Sequence, residues 1–506
     1  MVNVVLPSFV VLWALIWAFL EHNNTGRLPG AGDPRAAKLG LGKNDKSLEG
    51  SPNTEVQHQV VELLRNLRKT RDRVEPRNED GKIAIGFNVC LDAVVDALEL
   101  LQRTGVKPVK GAVSPTISNL EDLGGVFTHH FERAAGGERS VDDRETFALL
   151  EEGLATCKSR RVLLGGNAAI MAEVLAKDWK FEHVSLGGPV GPQVEALLPD
   201  QIATFGLQPG EDVRGVEIKE DEVHIIMEFE KGSTWAGSKA RRANRFIVSR
   251  DLSNAVLAAL EPLVAHVRDA PDGPYDLLIA AGFHMLDAMD PEFRQERVGE
   301  IVDNFRSVPD ETLIHFELAA VGEESLLEQL AKRIIPEVDS LGLNEQEMSA
   351  LYATLGIDDI DLADVTGLVP KVESVTAIMS HVLSNNDRLG RIHFHSFGYH
   401  IIGQKKSKTD RWPNVESAVA AGSVKASERA CAQTDLSAED ITLQLQEPFR
   451  FYGSPEVARI SSESPVIVYE TDDLVFALAP VLTCNKPVQT VGLGDSISAS
   501  ALAYQI

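Results

Sequence analysis

The sequence predicts an α/β protein: a doubly wound, mostly parallel sheet carrying a small β-rich lid. Three observations lead there. Short apolar runs, among them Ile83-Ala-Ile-Gly-Phe87, Val162-Leu-Leu164, Leu277-Leu-Ile-Ala-Ala281, Leu313-Ile-His-Phe316 and Val466-Ile-Val468, are separated by longer stretches with helical periodicity. That alternation is the rhythm of parallel strands covered on both faces by crossover helices. Residues 216–248 have another texture, with Val223-His-Ile-Ile-Met-Glu-Phe229 and Phe246-Ile-Val248 reading as antiparallel strands of an inserted lid. Finally, no marked shift of composition interrupts residues 54–506, so one large domain accounts for them.

In chain order, residues 1–20 carry no charged side chain, and positions 4–20 are nearly all apolar, with Trp13 and Trp17 among them. Such a run sits at the short limit, about 17 residues, for a membrane-spanning helix. Neither the basic start nor the small-x-small cleavage site of a secretory signal is evident. Residues 1–22 therefore read as a targeting segment, anchor or signal, that sends the chain to the secretory pathway: the endoplasmic reticulum, membrane-anchored or luminal, or secretion. Residues 23–53, rich in Gly, Pro and Lys, read as an exposed tether. Val56, Val60, Leu63, Leu64 and Leu67 then recur at helical spacing after Asn53 or Thr54, which starts the folded domain at 54–506. Residues 252–267 and 415–431 read as crossover helices. The lid is expected in two pieces, roughly 105–130 and 205–250.

Composition narrows the partners. Acidic residues outnumber basic ones 75 to 49, a formal charge of −26, which excludes a sequence-independent grip on nucleic acid. Any phosphate must be held locally. The four cysteines (Cys90, Cys157, Cys431, Cys484) form no CxxC pair, which argues against a zinc ribbon. No GxGxxG follows a strand, and Gly40-Leu-Gly-Lys43-Asn44 lacks the spacing and final hydroxyl of a P-loop.

The run Val491-Gly-Leu-Gly-Asp495-Ser carries chemistry. Gly492 and Gly494 let the backbone approach a ligand, and the amides of Gly492, Leu493 and Gly494 would face an anion at a positive helix start. Asp495 beside them would accept the proton of an attacking hydroxyl, which is the minimum apparatus for phosphoryl transfer to an alcohol. The same pattern also fits a plain helix cap after a Gly-rich turn. Gly86-Phe-Asn88-Val-Cys-Leu-Asp92 places an amide and a carboxylate where the first strand runs into a helix, and Gly165-Gly166-Asn167 follows a strand likewise. Both suit a polyol in the crevice at the strands' carboxyl ends, or serve as caps and turns. Strand alternation puts His315 and Glu317 on one face, and Glu347 of Asn344-Glu-Gln-Glu347 would share a Mg²⁺ ion with Glu317 or close a capping box. His393, His395 and His400 lack the clustered acidic or thiol partners of a zinc site.

GxGD near the C-terminus, GGN earlier, an Asn…Asp pair on the first strand and an NxxE together resemble the ribokinase-like sugar kinases. Asn244-Arg-Phe-Ile247, His315-Phe-Glu-Leu-Ala319, Ser340-Leu-Gly-Leu-Asn-Glu-Gln-Glu347, Arg391-Ile-His-Phe-His395 and the GLGDS run are similar to the animal-type ADP-dependent glucokinases, over about residues 80–503. The resemblance implies transfer of the β-phosphoryl of ADP to the 6-hydroxyl of glucose, with AMP released and Mg²⁺ required. It implies Asp495 as base and metal contact, Gly492, Leu493 and Gly494 as anion hole, and Glu317 and Glu347 as Mg²⁺ residues. Asn88, Asp92, Glu138, Gly165, Gly166 and Asn167 would hold glucose, and Arg245 the transferred phosphate. Arg391, His395, Ala421, Gly422 and Val481 would wall the nucleotide site. The family's cysteines match Cys431 and Cys484, which implies a disulfide if the chain faces an oxidising lumen. The lid segments 107–126 and 208–222 have little of the family's character. A monomer is expected. The alternatives are an ATP-dependent or phosphofructokinase-like member of the same fold, or a membrane-tethered binding protein without activity.

Overall fold

In the computed structural model the described residues are 52–76, 80–110, 114, 116–133, 137–205, 212–213, 216–217, 221–241, 243–357, 360–445, 447–489 and 491–506. The expected targeting segment and nearly all of the tether, and most of 206–220, lie outside them. The first helix, α1 (Pro52–Arg71), presents Leu63, Leu64 and Leu67 to the core, as their spacing predicts.

The strands that build the site are β1 (Lys82–Phe87), β2 (Cys90–Asp96), β3 (Gly137–Ser140), β4 (Arg161–Gly165), β5 (His183–Gly187), β6 (Ile202–Phe205), β7 (Val223–Phe229), β8 (Asn244–Ser249), β9 (Leu277–Ala281), β10 (Leu313–Glu317), β11 (Ser340–Asn344), β12 (Arg391–His395), β13 (Tyr399–Lys405), β14 (Ile467–Glu470) and β15 (Leu474–Pro480). A ten-stranded sheet has the order β14-β15-β13-β12-β11-β10-β9-β1-β5-β6. It is parallel from β6 to β12 and antiparallel beyond. Its central strands are buried along nearly their whole length, which is why they read as continuous apolar runs.

The lid is a five-stranded sheet in the order β3-β8-β7-β2-β4. The expected antiparallel pair is there, as β7 with β8. The lid is wider than the expected 105–130 and 205–250, because β2 and β4 belong to it. Two readings are corrected with that. Val162-Leu-Leu164 is a lid strand, antiparallel to β2, and not a strand of the main sheet. Past Asn88 and Val89 the chain enters β2 directly and not a helix. A strand with one face under helices and the other over a cleft alternates only weakly in polarity, which hides it from a periodicity reading. The helix expected over 252–267 is regular only over Leu260–Arg268.

One lid face carries its own core, in which Ala93, Val95, Ile225, Met227, Phe246 and Val248 pack against Phe127 and Phe131. Because side chains alternate, Asp92, His224, Arg245 and Glu138 fall on the opposite face, aligned by the registers Asp92↔His224, Arg245↔Glu228 and Glu138↔Ile247. That face roofs the crevice.

Candidate active site

Helix α4 (Leu493–Leu502) begins at Gly492, whose φ of +67° is left-handed and favours glycine. A Cβ there would lie 2.6 Å from Ile170 Cδ1, so only glycine lets this turn seat against the helix α2 (Asn167–Glu173) that follows the GGN run. Asp495 stands in the first turn of α4. Burial, with the charge of Glu317 adding to it, pushes its carboxyl up to about 7, against the pull of His395 and Arg429. A base with a pKa near the working pH is the one best matched to general base catalysis. Thr490 lies outside the described residues.

Glu317 is the fixed anion of this site. Burial opposes its ionisation, but the hydrogen bond from His315 and the nearness of the His395 ring outweigh that and hold it down at about 2. His315 Nε2 is 2.9 Å from Oε2, and Ser498 Oγ donates to Oε1 at 3.0 Å. The proton positions follow from Glu317, which when ionised can only accept: His315, kept neutral by burial, must carry its proton on Nε2, and its Nδ1 then accepts from Ser340 Oγ, 2.8 Å away. Arg391 Nη1 donates in turn to Ser340 Oγ at 2.9 Å. Gly342 opposite leaves the space that the Glu317 carboxylate fills.

Glu347 closes a capping box at the start of α3 (Glu345–Leu355): Asn344 N donates to its Oε2 at 2.8 Å and Asn344 Nδ2 to its Oε1 at 2.8 Å. The capping-box reading of Asn-x-x-Glu is thus the one the structure forms. The cap bonds occupy one lone pair on each oxygen, while burial and the charges of Glu317, Glu345 and Asp495 push the Glu347 carboxyl well up. Glu345, a residue the sequence reading passed over, is pushed up to about 7 by burial. Burial is what raises Asp495, Glu345 and Glu347, with Glu317 ionised among them, and carboxylate oxygens of this kind are the ligands a hard divalent cation takes.

The acceptor side assembles as expected. Gly165 and Gly166 pack against Asp92, Cys90 and Asn88, and Gly282 closes on Asn88 from β9. The buried Asn88 Oδ1 has no hydrogen-bond partner. Asp92 senses His224, Arg245 and Glu138, so the lid residues singled out in the sequence do meet. His224 was missed. Its Nε2 lies 2.7 Å from Asp251 Oδ2, and Asn254 Nδ2 donates to Asp251 Oδ1 at 2.8 Å.

The nucleotide wall is corrected in part. His395 is in place, its ring against Gly494 and near Glu317. Val481 packs with Ala426 and Ile497 beside the helix start. Arg391, by contrast, begins β12, at the sheet edge opposite the strands' carboxyl ends, where its Nε donates to Gln505 Oε1 at 2.6 Å. It supports Glu317 from below and does not face a nucleotide. Ala421 is fully buried, and Gly422 lets the long helix of the wall, Val415–Cys431, approach Ile497 and His400 closely, since a Cβ there would stand 3.2 Å from Ile497. At the far end of this helix Arg429 reaches toward Asp495, with its Nε unpartnered. Sequence reading missed Arg429 as well. Cys431 and Cys484 form a disulfide across 53 positions.

A doubly wound sheet with a β-sheet lid, and Asp495 at a glycine-opened helix start among buried carboxyls, are the features of the ribokinase-like sugar kinase class. The conserved region of the ADP-specific phosphofructokinases and glucokinases matches residues 81–504, and the chain belongs to that family. It is 33% identical to the ADP-dependent glucokinase of Bos taurus, across 85% of this chain and 86% of that one. It is 30% identical to a probable ADP-dependent glucokinase of Caenorhabditis elegans, covering 88% and 89% of the two chains. A phosphofructokinase of Pyrococcus horikoshii solved with AMP superposes with a TM-score of 0.62 over 85% of this chain and 98% of its own, at 17% identity, which speaks to the fold.

Proposed function

We propose that this protein phosphorylates D-glucose on its 6-hydroxyl, with ADP as donor, AMP as the released nucleotide and Mg²⁺ as the required ion. The observation that carries the reading is Asp495, raised to about 7 at the start of α4 beside the Gly492 to Gly494 amides. Asp495 takes the proton of the attacking hydroxyl. The helix-start amides and Arg429 stabilise the charge spreading over the moving phosphoryl oxygens. Asp495, Glu345, Glu347 and Glu317 would hold the metal, Glu347 and Glu317 through the lone pairs that their fixed hydrogen bonds leave free. Bound there, it supplies positive charge to the phosphates.

The lid face favours an unphosphorylated sugar. Asp92, Glu138 and Glu228 line it, Arg161 is paired with Glu228 at 3.1 Å, and Arg245 faces Asp92 and Glu138. Both arginines of this face already stand against carboxylates, so a sugar phosphate would have to compete for them, which speaks against the phosphofructokinase-like alternative. Assaying glucose and fructose 6-phosphate against ADP and ATP tests the reading: turnover is expected with glucose and ADP, and faster turnover of either alternative substrate would overturn it.

The Cys431–Cys484 bond supports an oxidising compartment, consistent with targeting through residues 4–20 to the endoplasmic reticulum. No helix among the described residues is long and apolar enough to cross a membrane, so anchoring rests on that segment alone. Protease protection of microsomes containing the full chain checks the compartment, and digestion without detergent would reject a luminal site.

A further inference from the structure

The geometry points to a binding site for a borderline-soft divalent cation of the zinc class, formed by Cys90, Asp92 and His224 in the roof of the crevice. One ligand atom from each lies within 4.8 Å of the other two. A tetrahedral ion with a sulfur ligand at about 2.3 Å and an oxygen at about 2.1 Å spans an S···O edge of about 3.6 Å. Cys90 Sγ and Asp92 Oδ1 stand 3.8 Å apart.

The backbone fixes these three positions. Cys90 and Asp92 alternate on one face of β2, His224 is the register partner of Asp92 on β7, and Gly165 leaves room beside both Cys90 and Asp92. His224 is oriented as metal-binding imidazoles usually are, with one ring nitrogen on a carboxylate, Asp251, which Asn254 steadies in turn. The charges around it nearly balance: Asp251 and Glu138 face Arg245 and a His224 ring whose proton Cys90 and Asp251 hold against burial, while burial pushes Glu222 up to about 7 and keeps His284 neutral. One coordination position remains for water or a hydroxyl. The donor set of S, N and O discriminates against Mg²⁺, which prefers oxygen alone, so this site and the carboxylate pocket under α4 select different ions. Binding replaces the Cys90 thiol proton and the proton on the ligating nitrogen of His224, and both leave to solvent.

Because Asp92 belongs to both, an ion here excludes the acceptor sugar. That consequence, though not the binding itself, rests on the proposed function. Titrating Co²⁺ into the purified full chain reads the site directly. One equivalent is expected to bind with a near-ultraviolet thiolate charge-transfer band and tetrahedral visible bands, and Zn²⁺ should displace it while excess Mg²⁺ does not. Cys90→Ser should abolish the charge-transfer band, Cys157→Ser should keep it, and Asp251→Asn should weaken binding about 10- to 100-fold. Thermal melts confirm that the variants are folded. A thiolate band that persists in Cys90→Ser, or octahedral spectra without one, would overturn the site. In assays, Zn²⁺ should raise the KM for glucose and leave that for ADP, and lose this effect in Cys90→Ser. Tetrahedral Co²⁺ binding without that pattern would leave the site standing and remove the acceptor assignment.

Discussion

At the scale of single residues, the site is a set of carboxyls driven apart in acidity by their surroundings. Glu317 stays ionised at about 2, while Asp495 is raised to about 7. One is therefore a permanent charge and the other a proton acceptor poised near neutrality. Asp495→Asn is expected to keep the fold and glucose binding and to lower turnover by about 10² to 10⁴; turnover near that of the parent protein would remove Asp495 as base. The same carboxyl must be ionised to work, so kcat/KM should rise with pH through about 7. A flat profile between pH 6 and 8 would contradict the assignment. His315→Leu tests the hydrogen-bonded chain from Arg391. It removes the Nε2 donor, so the Mg²⁺ concentration for half-maximal activity should shift as Glu317 loses its fixed charge.

At the scale of elements, two positions show what the chain geometry demands. Asn344→Ala removes the cap of α3 and should cost about 1 kcal/mol of stability, read from denaturant unfolding. Gly492→Ala imposes a left-handed alanine and a clash with Ile170, a strain of about 1 to 3 kcal/mol. It should raise the KM for ADP more than that for glucose, because the strain falls on the helix-start amides. What was legible in the sequence follows the same division. GLGD, GGN and the Asn88…Asp92 pair could be read because their chemistry is local. Val162–Leu164 was rightly read as a strand but placed in the wrong sheet, because a lid strand and a sheet strand share one short apolar pattern. His224, Arg429 and Glu345 stayed hidden because their roles depend on register and helix packing between segments far apart in sequence. Arg391 was misplaced for the same cause: its strand was recognised, but not which end of that strand meets the ligand.

At the scale of the whole molecule, the acidic pocket sets a balance between stability and function. Asp495 and Glu345 have folded-state values near 7, above their ordinary 3.8 and 4.5. The folded chain thus holds protons that the unfolded chain releases. Their contribution is complete below the unfolded values and is lost as pH climbs to about 7. In EDTA, Glu345→Gln should lose less Tm than the parent protein between pH 5 and 8. Mg²⁺ should raise the parent Tm more at pH 8 than at pH 5, and an equal rise at both would contradict a metal site built from these carboxyls. The disulfide adds its own constraint, worth about 4 kcal/mol in the chain-entropy account, so reduction should lower Tm without changing the fold. There is also an order in time. The helix that carries Asp495 seats Gly492 on Ile170, more than three hundred positions earlier, and ties Ser498 to Glu317. A ribosome delivers the acceptor pocket, the lid and the sheet before it delivers that helix. The strands and helices that precede it can therefore assemble before the Asp495 helix docks, and that helix completes a groove already built for it.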